Sequence, residues 1–189
     1  GVRKAGTTFF SAIEKFGKVT AGVAPDELGG ILSQYLTPTS EIIMDYSGYI
    51  DKYEGHVIMA DFGVPLDDPG HAWKCCFAAI EQQQDIHPFR FFVKARYGAD
   101  VYVAMGINSG YISAGNMGSE KKMQYTVMGD AVNMSARFRP ANNIYDTRII
   151  AGEPTMFIVK DYLELRLLDK LLAKGKTKPV TIFEVQGWQ

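Results

Sequence analysis

Asn133 and Arg137 stand four residues apart in a stretch where Ala131, Val132, Met134, Ser135 and Phe138 fall at helical spacing. Positions i and i+4 share one face of a helix, so an amide and a guanidinium there can reach toward one ligand while Val132, Ser135 and Ala136 point elsewhere. A guanidinium donates through a fixed planar fork and stays charged, which suits spread anionic charge. The same spacing also fits a surface amide beside a solvated arginine, and the pattern alone leaves both readings open. His56 follows Gly55 in a short connection. A single imidazole is a poor ligand set for a metal, so His56 is expected to be a turn residue, neutral at pH 7 unless a nearby acid raises its pKa. Cys75 and Cys76 are adjacent in an apolar helical stretch. That is neither a CxxC redox pair nor a zinc spacing, and packing is their expected role.

Strand-like and helix-like segments alternate around these residues. Thr7 to Ile13 is β-branched and aromatic and reads as a buried strand. Pro25-Asp26-Glu27 opens a helix carrying Leu28, Ile31, Leu32, Tyr35 and Leu36, and Pro38 predicts a kink or a short second helix before Ser47-Gly48. Tyr49 to Tyr53 and Val57 to Ala60 flank Glu54-Gly55-His56 as a hairpin. Asp67-Asp68-Pro69 caps a helix running through Ala72, Cys75, Cys76, Ala79 and Ile80 to the polar Gln82-Gln83-Gln84. Val101 to Ile107 and Tyr111 to Ala114 read as two strands turned at Asn108-Ser109-Gly110. The helix from Asp130 is expected to stop at Pro140. Strands are then predicted over Arg148 to Ala151, Leu163 to Leu168 and Val180 to Val185. This order predicts an α+β sandwich, helices packed on a mostly antiparallel sheet.

The 189 residues hold 20 Lys and Arg against 21 Asp and Glu, with 47% hydrophobic content. A chain of this length buries enough surface to hold a core without disulfides or a structural metal, and one domain spanning 1–189 is expected. The net charge of −1 lacks the basic excess that favours nucleic acid or an anionic membrane surface. No apolar run reaches the ~20 residues of a spanning helix, and GVRKAGTTFF has no signal-peptide core, so a cytoplasmic location is expected.

The stretch from Met117 through Gly129-Asp130-Ala131-Val132-Asn133-Met134-Ser135-Ala136-Arg137 resembles the signature of the class III nucleotidyl cyclases. Ile50-Asp51-Lys52-Tyr53-Glu54-Gly55-His56-Val57-Ile58-Met59-Ala60 is similar to that family's hairpin, and Gly106 to Gly110 and Ala173 to Lys176 follow in the same order. The resemblance implies a ferredoxin-like βαββαβ core with additional C-terminal strands, working as a dimer with sites at the interface. It implies conversion of a nucleoside triphosphate to a cyclic nucleotide and pyrophosphate with two Mg2+ or Mn2+ ions. It assigns Asn133 to the ribose, Arg137 to the phosphates and Lys174 to the triphosphate, with Lys176 a second candidate. Lys52 and Thr126 fall at the base-recognising positions, and this combination leans toward ATP. Domains of this family often follow sensory or membrane regions, so the chain is expected to be part of a longer signalling protein, for example the cytoplasmic domain of a membrane-anchored receptor.

The pattern breaks at both metal positions. Ala12 stands in Phe10-Ser11-Ala12-Ile13 where the family has an aspartate, and His56 stands where the second aspartate follows the hairpin glycine. Alanine has no ligand atom, and imidazole suits magnesium or manganese far less than carboxylate oxygen does. Their joint loss is worth roughly a thousandfold or more in rate. Glu14 and Glu54, each two residues from a lost ligand, would face the same side in an ideal strand, whereas Asp61 would face away from His56. The expected role is therefore the non-metal half of a cyclase dimer, paired with a metal-competent domain or with itself. The alternatives are an inactive pseudocyclase, sensing nucleotide or serving dimerisation, and an active homodimer with substitute ligands.

Overall fold

Alternation of side chains decides what each face of the first strand, β1 (Val2–Glu14), can hold. The computed structural model, which describes residues 1–172 and 175–188, puts Phe9 and Ile13 in the core on one face and Thr8, Phe10, Ala12 and Glu14 on the other. Two helices follow, α1 (Gly17–Gly22) and α2 (Pro25–Asp45), then the hairpin β2 (Tyr49–Glu54) and β3 (Val57–Phe62). Next come α3 (His71–Asp85), α4 (His87–Tyr97), β4 (Tyr102–Ser119), β5 (Lys122–Met128) and α5 (Asp130–Tyr145). The chain ends with β6 (Ile149–Gly152), α6 (Glu153–Val159), β7 (Leu163–Leu171) and β8 (Val180–Trp188).

The strands lie in the order β2-β3-β1-β4-β6-β8-β7, with β5 paired to the far end of β4. The first four form the ferredoxin-like βαββαβ core, and β6, β8 and β7 extend it, as the resemblance implied. The pairings of the described strands are antiparallel apart from β4 with β6.

One face of the sheet packs on α2 and α3 through Phe9, Ile13, Tyr35, Ile58, Val103 and Met105. Cys75 and Cys76 lie fully buried in that layer, and burial pushes both thiols well above their ordinary pKa, so they pack and do not react. The other face packs on α5 and β5 through Met59, Ile112, Val127 and Val132, and through Met134, Phe138 and Ile150 farther along. Gly106 makes this second layer possible. A Cβ there would lie 2.3 Å from the Ser135 carbonyl oxygen and 2.5 Å from the Arg139 nitrogen, so only glycine lets α5 rest its backbone on β4.

Several elements differ from the sequence expectation. Asn108-Ser109-Gly110 is no turn: β4 runs straight through it, with Thr8 opposite Asn108 and Gly6 opposite Gly110. The polar side chains that suggested a turn are held inside the sheet, Ser109 Oγ lying 2.8 Å from both Thr7 Oγ1 and Thr155 Oγ1. Pro38 lies within one helix, α2, and no second short helix forms. Pro140 lies within α5 and does not stop it. Asn142 Nδ2 donates to the carbonyls of Met105, Phe138 and Arg139, tying the last turns of α5 to β4. The helices α1, α4 and α6 and the strand β5 lie outside the sequence expectation.

Candidate functional site

Two hydrogen bonds orient α5. Ser135 Oγ reaches the carbonyl oxygens of Thr8 at 2.8 Å and Gly106 at 3.0 Å, which fixes the inner face of the helix across β1 and β4. Asn133 and Arg137 consequently stand exposed on the outer side, one turn apart, as their spacing required. At the start of the same helix Asp130 pairs with Lys176, which brings the C-terminal turn to the helix carrying Asn133. Lys174 lies outside the described residues.

Lys52 lines a cleft of about 240 Å3 together with Phe10, Glu54, Val57, Met59, Val127 and Val132. The apolar floor comes from β1, β3 and β5, and Val132 brings in the first turn of α5, directly beside Asn133. A mostly apolar cleft with one cation, Lys52, and one acid, Glu54, in its lining is a chemically sound seat for a purine ring. Thr126 is half-buried on β5, next to Val127. Its Oγ1 lies 2.8 Å from each carboxylate oxygen of Asp51, and Lys52 Nζ lies 3.6 Å from Asp51 Oδ1. Asp51 thus joins the two residues that the resemblance assigns to the base.

Behind Asp51 sits Asp61, fully buried, with both oxygens lacking an ordinary donor. Burial pushes its pKa up to about 10, the Asp51 carboxylate adding to the rise and Lys52 opposing it. With its pKa raised this far, Asp61 carries a proton that it can donate toward Asp51, which gives one of its two oxygens a partner. Neither acid was assigned a site role from the sequence. A signal was present, since an aspartate beside a lysine inside an otherwise apolar hairpin needs partners, but their identity depends on β5. Phe10, Met59, Val127 and Val132 read as ordinary core residues.

The corner around Ala12 has a different character. Ala12 is fully buried between β3 and β4, opposite Val57 and Ala104. Glu14 shares its face, as strand alternation predicts, but the carboxylate is held 2.6 Å from Arg139 Nη1 on α5. Glu54 ends β2, and Gly55 at φ +62° turns the chain before His56, so alternation does not carry from one to the other. The His56 ring rests 5.8 Å from the Phe16 ring. Burial holds its pKa below the ordinary histidine range, the Arg139 charge lowers it further and Glu14 partly offsets both, so His56 is neutral at pH 7. No group of three His, Cys, Asp or Glu side chains capable of holding a metal occurs among the described residues. An alanine, a neutral imidazole packed on a ring and a carboxylate already paired with arginine do not fit Mg2+ or Mn2+, which need several free oxygen ligands.

A family model described as the adenylate and guanylate cyclase catalytic domain matches residues 4–186. The chain is 29% identical over 181 residues to adenylate cyclase 1 of Rhizobium meliloti (strain 1021), covering 96% of this chain and 27% of that protein. The solved structure of the adenylyl cyclase CyaB from P. aeruginosa superposes with a TM-score of 0.90 at 29% identity, over 98% of this chain and 95% of that one. The guanylyl cyclase Cya2 superposes with the same TM-score at 27% identity, over 100% of this chain and 95% of that one. The chain spans 8% to 36% of the length of the first curated relatives it matches. Among the described residues no helix is long and apolar enough to cross a membrane.

Proposed function

The chain belongs to the adenylate and guanylate cyclase catalytic domain family, and from that premise we propose that it supplies the nucleotide-binding half of an adenylyl cyclase site whose metal-binding half comes from a partner domain. One observation carries this reading. The exposed pair on α5 and the Lys52, Asp51 and Thr126 cluster are intact, while Glu14, the acid that shares the face of Ala12, is paired with Arg139 at 2.6 Å.

In this reading the purine lies in the cleft beside Lys52 and Thr126, Asn133 orients the ribose and Arg137 donates to the phosphates. The reaction joins the 3′-oxygen of ATP to the α-phosphorus and breaks the bond to the β-phosphate, releasing cyclic AMP and pyrophosphate. The part played by this chain is positioning and charge neutralisation: a guanidinium stabilises the added negative charge without giving up a proton. Lys174 is assigned to the triphosphate, with Lys176, paired here with Asp130, as the second candidate. The partner is a metal-competent cyclase domain, and the whole is a cytoplasmic module of a longer signalling protein.

The test is cyclic AMP formation from ATP and Mn2+ by the pure chain, by a metal-competent cyclase domain crippled at its own Asn and Arg positions, and by their mixture. The mixture is expected to be active where neither component is, and Arg137→Ala in this chain is expected to abolish that activity. Robust activity of the pure chain, lost in Asn133→Ala, would select an ordinary homodimeric cyclase instead. The guanidinium seated on Glu14 also favours a second reading, a pseudocyclase that binds ATP without turnover. Saturable ATP binding by a chain inert in every mixture would select it.

A further inference from the structure

The hairpin ladder has one irregularity. Ile50 pairs with Ala60 and Lys52 with Met59, so Asp51 is the extra residue of a β-bulge. A bulge re-aims a side chain, and this one sends a carboxylate inward: Asp51 is 6% exposed. Gln124 Nε2 donates to the Asp51 main-chain oxygen at 2.8 Å, which fastens the bulge to β5. The same strand presents Thr126, whose Oγ1 lies 2.8 Å from both Asp51 oxygens.

The direction of that hydrogen bond is forced. An ionised carboxylate has only lone pairs, so the Thr126 hydroxyl must donate, and a hydroxyl has one proton. Thr126 can then offer any third group nothing but its own lone pairs. Asp61, behind, leaves the arrangement one-way: as the protonated member of the acid pair it donates to Asp51, while Lys52 Nζ lies 3.6 Å from Asp51 Oδ1 on the other side. The mouth of the site therefore presents one fixed acceptor, Thr126, and one fixed donor, Lys52. The edge of a 6-aminopurine is their complement, with an amine that donates and a ring nitrogen that accepts. A 6-oxopurine reverses both.

We propose that Asp51 is the positioning residue that sets base preference, by holding the Thr126 hydroxyl as an acceptor and so selecting a 6-aminopurine over a 6-oxopurine. This deepens the reading above and rests on Lys52 and Thr126 meeting the base. Two mismatched hydrogen-bonding groups in a half-buried slot translate into roughly ten- to a hundredfold in affinity.

The experiment is competition binding of ATP and inosine triphosphate against a fluorescent ATP derivative on the purified chain. The two nucleotides differ only at the 6-substituent and the proton on the adjacent ring nitrogen. Wild type is expected to favour ATP tenfold or more. Thr126→Val loses most of that preference and Thr126→Ser keeps it. Asp51→Asn loses as much as Thr126→Val, because an amide can also donate and lets the hydroxyl turn round, and the double variant loses no more. Each variant is its own reference, since a smaller folded fraction weakens both nucleotides alike. If Asp51→Asn does not fold, Asp51→Ala, which removes the acceptor altogether and frees the Thr126 hydroxyl to donate elsewhere, is expected to lower the preference in its place. An ATP preference unchanged in these acid variants but lost in Thr126→Val would overturn the role of Asp51 and leave the base contacts standing. Absence of ATP binding by wild type, or a full preference in Thr126→Val, would overturn the base contacts and the role of Asp51 together.

Discussion

Arg139 on α5 reaches across the sheet face to Glu14 at the end of β1, its Nη1 2.6 Å from the carboxylate. The contact places a fixed cation two residues from Ala12, on the same face, and Ala12 stands at the position that the resemblance assigns to a metal-binding acid. Restoring the acids alone is therefore expected to give little. In the double variant Ala12→Asp with His56→Asp, the carboxylate introduced in place of the Ala12 methyl competes with Glu14 for the same guanidinium. Adding Arg139→Gln frees the carboxylates, and Mn2+-dependent cyclic AMP formation by the triple variant is expected to exceed that of the double by at least about tenfold. Equal rates for the two variants would show that the guanidinium does not block the corner.

Asp61 links the site to pH. Its folded pKa lies far above the unfolded value, so the folded chain keeps a proton that the unfolded chain releases above the ordinary carboxylate range. The linked stability is full below that range and is lost as pH rises toward the raised pKa, by up to about 1.4 kcal/mol per pH unit. Asp61→Asn removes the titration while keeping a donor toward Asp51. Urea unfolding of both proteins at pH 5.5 and 8.5 is the measurement, and the variant is expected to gain on wild type at the higher pH. His56 and His71, both held neutral by burial, titrate alike in the two proteins and cancel. A stability difference that stays constant between the two pH values would mean Asp61 is ionised in the fold.

Ser109 tests the buried hydroxyls that carry β4 through its polar stretch. Its Oγ lies 2.8 Å from Thr7 and from Thr155, and Thr7 is in turn 2.7 Å from His71 Nδ1. Ser109→Ala leaves the fully buried Thr155 hydroxyl short of a partner, at a cost of about 1 to 3 kcal/mol. Calorimetry should record a lower Tm. Saturated ATP binding at low temperature should stay at the wild-type level, because this chain of hydroxyls lies beneath α6, away from Lys52 and Thr126.

Periodicity made the strands and the main helices legible because their apolar faces repeat every two residues or every 3.6. It failed where tertiary contacts replace local ones. The turn chemistry of Asn108-Ser109-Gly110 is overridden by partners on β1 and α6, and Pro140 is tolerated because Asn142 anchors the turn beyond it. The site divides the same way. The spacing of Asn133 and Arg137 on one face follows from helix geometry alone. The Thr126 to Asp51 bond and the Arg139 to Glu14 bond join residues 75 and 125 positions apart, and no local pattern carries them.

Gly106 is where the fold and the site meet most closely. The Ser135 carbonyl and the Arg139 nitrogen crowd the position a Cβ would take, and both are backbone atoms of α5 that cannot rotate away. Gly106→Ala must lift the helix from β4, stretching the Ser135 hydrogen bonds to Thr8 and Gly106 and displacing Asn133 and Arg137 together. Overpacking of this kind costs about 1 to 3 kcal/mol or more. The expected outcome is a lower Tm and, at temperatures where the variant is fully folded, ATP affinity reduced several-fold. The Glu14 to Arg139 pair should loosen as well, because Arg139 is one of the two residues the new methyl strikes. A variant that melts lower yet binds ATP with wild-type affinity would show that the helix yields locally at Ser135 without moving the ligand-facing side.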